Sequence, residues 1–319
     1  MSVLEEVKAK IKEELPNLDC VIGWKQGFDP LHATPHFMYS EKDVDQLIWS
    51  PLCVHNLATY LPAMKDKRVG VLVKGCDSRS IVELLQEKLI KRENLVVFGL
   101  TCKGGVDLAK IKAEIGSLGR VSDVSFHDGQ IAVKTPNQAF TFPLKDVLLP
   151  KCQTNHYPVP VLCDHRFGRP EDAPECGQEE AANLQSLESM SLEERFAYWQ
   201  HHLDRCIRCY ACRNACPMCV CRDHCIADTR DPHWLSQETY VEQKWMFQLI
   251  HAMHLAGRCT ECGECERACP MDIPILSIRQ KLNREVKELF DYEAGVDPEA
   301  VPPLLTFKVE EANINERGW

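Results

Sequence analysis

The chain has 319 residues, 45% of them apolar and 26% charged, enough to bury the core of one large or two modest domains, which excludes disorder as the default. A formal net charge of -10 with no Lys/Arg-rich block argues against a nucleic-acid partner, because phosphate would be repelled. Eighteen cysteines would mark a disulfide scaffold in a small secreted chain, but MSVLEEVKAKIKEEL has no apolar signal core and no later run is long enough to span a bilayer; a reducing cytoplasm is expected, with the thiols as ligands or buried small side chains.

Val3, Leu4, Val7, Ile11 and Leu15 recur at helical spacing, and Pro16 ends that first amphipathic helix. Cys20 to Trp24 is strand-like and is followed by an irregular stretch through Tyr39. Val44 to Trp49 forms another short element, and Pro51-Leu52-Cys53 leads into a helical pattern through Leu57, Tyr60 and Leu61. Val69 to Val73 is a continuous apolar run of strand length, Ser80 to Lys91 has helical periodicity, and Leu95 to Leu100 is a second buried strand. That order predicts parallel strands joined by a right-handed crossover.

Both strands end in a cysteine-bearing loop, Lys74-Gly75-Cys76-Asp77-Ser78-Arg79 after the first and Thr101-Cys102-Lys103-Gly104-Gly105 after the second. Ligands of open α/β sheets sit at this carboxyl edge. A flavin such as FAD is one candidate, although neither loop is G-x-G-x-x-G or a Walker A sequence, so the nucleotide signal is weak. A third iron-sulfur cluster is the other. Neighbouring parallel strands lie about 4.8 Å apart, so Cys76 and Cys102 converge, with Lys74, Arg79 and Lys103 adding positive charge. Cys53 and Cys152 complete that candidate set, with Cys163 as a substitute; the alternative is that these are buried core cysteines. Residues 1–151 thus form an α/β domain, closed by a small antiparallel meander over Val121 to Phe126, Ile131 to Val133 and Ala139 to Phe142. Residues 152–190, with Pro158, Pro160, Pro170, Pro174 and Cys176, are expected to be a connector.

The strongest signal lies in residues 191–280. Ser191-Leu192-Glu193-Glu194 is a capping box starting a helix that delivers the chain to Cys206-x2-Cys209-x2-Cys212-x3-Cys216-Pro217. The same grammar returns as Cys259-x2-Cys262-x2-Cys265-x3-Cys269-Pro270. This is the spacing of paired 4Fe-4S cubanes, in which three thiols of each run hold one cluster and the fourth reaches the other. Cys206, Cys209, Cys212 and Cys269 are therefore expected to hold the first cluster, and Cys216, Cys259, Cys262 and Cys265 the second. Zinc sites more often use two cysteine pairs split by a longer loop. Cys219, Cys221 and Cys225 form a competing set that caps a further metal or only packs.

Between the runs, Val241, Trp245, Leu249, Ala252 and Ala256 mark a helix stopped by Gly257. Arg208, Arg213, Arg258 and Arg267 flank the cysteines and are candidates to offset cluster charge; His201, His202, His224, His233, His251 and His254 have no spacing that demands a role. Residues 281–319 complete a helix over Ile275 to Phe290 and end in a tail that is either a frayed terminus or an arm whose Leu304, Leu305, Phe307 and Trp319 suit a partner surface.

Residues 191–280, through Arg205-Cys206-Ile207-Arg208-Cys209-Tyr210-Ala211-Cys212-Arg213 and His254-Leu255-Ala256-Gly257-Arg258-Cys259, resemble the α-helical ferredoxin module of succinate dehydrogenase iron-sulfur subunits, heterodisulfide reductase C subunits and the anaerobic sulfite reductase A subunit. With the Gly75 to Arg79 loop, the Cys102 loop and Cys216-Pro217-Met218-Cys219-Val220-Cys221, the whole chain is similar to the sulfhydrogenase β subunit and the sulfite reductase A subunit. A looser resemblance runs to the β subunits of deazaflavin-reducing hydrogenases. These resemblances imply an electron-transfer subunit of an anaerobic oxidoreductase, with flavoprotein, hydrogenase, formate dehydrogenase or heterodisulfide reductase partners. They also leave open an enzyme whose N-terminal domain holds a flavin. No nucleophile-base pair or paired acid/base can be named from the residues.

Overall fold

The computed structural model describes residues 2–116, 121–153, 157–172, 182–221, 225–226, 235–236 and 238–307. Cys176, His224, His233 and Trp319 lie outside the described residues.

The N-terminal domain is built on a five-stranded mixed sheet with strand order β2-β1-β3-β4-β8. β1 (Cys20–Gln26), β3 (Val69–Val73), β4 (Leu95–Leu100) and β8 (His165–Phe167) run parallel, and β2 (Ala33–Met38) is antiparallel to β1. All five residues of β3 are buried, as both faces of a central parallel strand require. Helix α3 (Gly75–Gln86) makes the crossover from β3 to β4. Helix α1 (Val3–Glu14) is capped by Ser2 and buries Val7 and Ile11. The meander is a separate three-stranded antiparallel sheet of β5 (Asp123–His127), β6 (Gln130–Lys134) and β7 (Ala139–Pro143).

Two stretches differ from the sequence reading. Residues 33–38, expected to be irregular, pair with β1 through the register Ile22↔Phe37 and Trp24↔Pro35. Pro35 is tolerated because β2 is the edge strand of the sheet. Within the expected connector, His165–Phe167 adds the far strand of the same sheet and Ala182–Ser189 is helical. Strands this short carry too little periodicity to be read locally; pairing with a preformed neighbour decides them.

The C-terminal region is helical. α7 (Leu192–Asp204) begins with the Ser191/Glu194 capping box, and α9 (Val241–Met253) packs beside it. The short helices α8 (Ala211–Ala215) and α10 (Glu264–Arg267) lie within the two cysteine runs and carry Cys212 and Cys265, and α11 (Ile275–Phe290) closes the module. None of the described helices is long and apolar enough to cross a membrane.

After α11 the chain turns back along α3 rather than leaving the molecule. Arg79 donates two hydrogen bonds to Ala294 O, Gln86 donates to Asp297 O and Ala300 O, and the Tyr292 hydroxyl donates to Glu83 (3.1 Å). The described part of the arm therefore rests on its own α/β domain, while Leu304, Leu305 and Phe307 remain exposed.

Glu83 gives this seam a pH dependence. Burial first, then repulsion by Glu87, raises its carboxyl from 4.5 to about 7. An acid with a raised folded pKa keeps its proton after the unfolded chain has lost it, so stability is highest below about 4.5 and falls as pH rises to about 7, by on the order of 3 kcal/mol. Glu83→Gln should flatten Tm against pH across that window and raise Tm at pH 8. An unchanged profile in thermal denaturation would contradict the assignment.

Candidate metal centre

Each Cys-x2-Cys-x2-Cys run adopts the same backbone. Arg208 and Tyr210 in the first, Glu261 and Gly263 in the second, all lie in the left-handed region at φ 51, 60, 55 and 69°. Three of the four are not glycine, at a cost on the order of 1 kcal/mol each, and such strain persists where the surroundings fix the loop. The turns wrap the chain so that successive thiols face one space. They also aim amides at sulfur: Arg208 N–H donates to Cys206 Sγ at 3.4 Å.

The fourth cysteines exchange partners. A cavity is lined by Cys206, Cys209, Cys212 and Cys269, so the last thiol of the second run joins the first three of the first, backed by Phe247, Ile273 and Ile275. Cys216, from the first run, lies among Cys259, Cys262 and Cys265. Burial pushes the Cys212 and Cys262 thiols up to about 12, so loading with metal must release protons. Among the described residues no three His, Cys, Asp or Glu side chains converge tightly enough for a single ion. Tetrahedral zinc demands four donors within about 2.3 Å.

The strongest sign that an anion belongs there is Arg279 on α11. It is 2% exposed, pairs with no carboxylate among the described residues, and two of its nitrogens, Nε and Nη1, are buried without a hydrogen-bond partner. Although burial opposes it, Cys265, Cys259 and Cys216 around the guanidinium hold it charged. A buried cation so placed is costly unless its neighbours carry negative charge. The donor set therefore fits an anionic thiolate cluster, and Arg279 is a residue the sequence reading missed. Its signal was present: three and four residues after Leu276 and Ile275, it falls on the buried face of an amphipathic helix.

Of the arginines expected beside the clusters, Arg258 is paired with Glu87 of α3 and Arg267 with Glu264. Arg208 reaches Ser236 O and Glu238 O, and Arg213 donates to Cys225 Sγ (3.3 Å) and Cys221 O (2.6 Å). Cys219 Sγ lies 3.2 Å from His251 Nε2, and Cys219 lines a surface pocket with Cys216 and Cys221.

In the α/β domain, the loops after β3 and β4 and the residues after the meander bring Cys76, Cys102 and Cys152 together. Burial raises Cys102 to about 11, with Cys152 adding to it and Lys74 opposing, and Cys76, well above its ordinary value, has Cys102 as a neighbour. Gly104 N–H donates to Cys102 Sγ (3.4 Å) and Gly105 N–H to Cys152 Sγ (3.3 Å). A Cβ on Gly75 would stand 1.8 Å from Tyr157 O, so only glycine lets the chain at 157–158 close over Cys76. Cys53 is directed elsewhere, its thiol toward Ile48 O (3.8 Å), and Cys163 packs on Gly99. Cys102 thus neighbours both Cys76 and Cys152, while Cys53, the fourth expected thiol, faces away.

Lys151 links this group to the helical module. Its ammonium donates to Cys262 O and, although burial opposes it, Cys76, Glu264, Cys152 and Cys262 hold it charged. Next to Lys151 a cavity of about 510 Å³ opens between the two domains, lined by Leu52, Val54, Val106 and Leu149 with His32, His55 and Arg267.

A family model described as a 4Fe-4S dicluster domain matches residues 202–273, so an α/β domain is followed here by a dicluster iron-sulfur module. Two relatives span nearly the whole chain. The β subunit of F420-dependent formate dehydrogenase from Methanocaldococcus jannaschii is 25% identical over 91% of this chain and 90% of its own length. The F420-dependent formate dehydrogenase 1 β subunit from Methanococcus maripaludis is 26% identical over 90% of this chain and 89% of its own. A chain of the F420-reducing NiFe hydrogenase complex from Methanosarcina barkeri is 19% identical over 48% of this chain and 61% of that chain, with a TM-score of 0.37, too slight a likeness to bear on the fold.

Proposed function

We propose that this chain is an electron-carrying subunit of a cytoplasmic, anaerobic multi-subunit oxidoreductase of the formate dehydrogenase or hydrogenase type. Cys206, Cys209, Cys212 and Cys269 hold one cubane and Cys216, Cys259, Cys262 and Cys265 a second. Cys76, Cys102 and Cys152 hold a third, which Cys53 completes by turning its thiol away from Ile48. Each cluster, when bound, takes up and releases one electron at a time. The observation that carries the reading is the exchange of Cys216 and Cys269 between the two runs, supported by the dicluster match and by the two formate dehydrogenase relatives.

The residues define a path. Lys151 touches the Cys76/Cys152 group on one side and Cys262 on the other, Cys216 joins the two cysteine runs, and the series ends at Cys209 and Ile207, which are exposed. That end is suited to a partner subunit; the apolar packing around the inner thiols keeps water from them.

A second reading has a specific observation in its favour. The cavity at Lys151 is large, mostly apolar and placed beside the three-thiol group, as a flavin exchanging a hydride for single electrons would require. The two readings separate in one preparation of the full chain purified anaerobically. Carrier function predicts about twelve irons, reduction by dithionite and no oxidation of formate or hydrogen by the chain alone; about eight irons would remove the third cluster. A yellow supernatant after acid precipitation would establish the flavin. Turnover by the isolated chain would overturn the carrier reading.

A further inference from the structure

Resting on that function, we propose that Arg279 sets the reduction potential of the cluster held by Cys216, Cys259, Cys262 and Cys265, making it easier to reduce than it would otherwise be. A cluster gains one negative charge on reduction, and a fixed neighbouring cation stabilises the reduced form more than the oxidised one. Arg279 is that cation: buried, without a carboxylate partner among the described residues, and beside three of the four sulfurs. Its influence on the first cluster reaches one thiol, Cys212. Its charge is permanent, since a guanidinium does not lose its proton in a protein.

A buried residue holds the guanidinium in place. Arg279 Nη2 lies 2.8 Å from His251 Nδ1. Arginine can only donate, so Nδ1 accepts, the ring is neutral, and its proton is on Nε2. That N–H then donates to Cys219 Sγ, 3.2 Å away and hydrogen-bonded to the Cys216 thiol. His251 therefore cannot serve Cys219 as a base. It positions the arginine, with its remaining donors left for the cluster sulfurs.

The test is a redox titration of the anaerobic full chain followed by electron paramagnetic resonance, with iron counted in each sample. The second cluster's signal is identified as the one missing from Cys262→Ser. Arg279→Leu should keep its iron and shift the midpoint of that signal downward, with a smaller shift in the first cluster. Arg279→Lys, which keeps the charge, should stay near the parent. An unmoved midpoint in a fully loaded Arg279→Leu chain, or the same downward shift in both variants, would overturn the proposal. Iron loss in both variants would overturn it too, by making Arg279 a packing residue. Iron loss in Arg279→Leu alone, with Arg279→Lys loaded, would overturn it as well, by giving the charge a role in retaining the cluster rather than in setting its potential. A parent chain with no second signal would instead remove the cluster assignment itself.

Discussion

Cys216→Ser should abolish the same cluster as Cys262→Ser, although Cys216 sits in the other cysteine run. The expectation follows from position: Cys216 lies among Cys259, Cys262 and Cys265, while Cys269 lines the cavity of Cys206, Cys209 and Cys212. Serine cannot replace a soft thiolate ligand to iron without weakening the site, so each variant should lose up to about four irons and one of the two signals. The decisive comparison is between spectra. Cys216→Ser should match Cys262→Ser, and Cys269→Ser should match Cys209→Ser. If Cys216→Ser matched Cys209→Ser instead, each run would hold its own cluster and the crossed arrangement would be wrong. Transfer of electrons from dithionite to a partner should fail in all four variants, because the path through Lys151, Cys262 and Cys216 to Cys209 is broken in each.

Cys76→Ser should take the chain from about twelve irons to about eight while leaving both signals of the helical module intact. Cys76 opens α3, where burial and then Asp77 hold its thiol well above the ordinary value and Lys151 and Lys74 oppose them, so a bound cluster must draw the proton off. Cys102 and Cys152 have amide donors already in place. Cys53→Ser is the informative companion. Equal iron loss there would make Cys53 the fourth ligand; full iron would leave the site with three thiols and an open position. A Cys76→Ser chain with all its iron would remove the third cluster altogether.

The dicluster character of the helical module was legible from the residues alone. Cys-x2-Cys-x2-Cys-x3-Cys-Pro twice over is local spacing, legible without a fold and borne out by the dicluster match over residues 202–273, and the Ser191/Glu194 box and the periodicities of α9 and α11 set the helices that carry it. Val69–Val73 and Leu95–Leu100 were equally legible, because a strand buried on both faces is apolar throughout. Tertiary structure decided the rest. Residues 33–38 and 165–167 became strands only by pairing with neighbours already formed, and the arm was drawn back onto α3 by Arg79, Gln86 and Glu83. Arg279 could be read as buried from its place on α11, but neither it nor His251 nor Lys151 could be read as lying beside the cysteines, because that comes from what the fold brings around them. A guanidinium on a helix is ordinary until folding buries it away from water and from every carboxylate among the described residues; what it then faces is His251 and the cysteines.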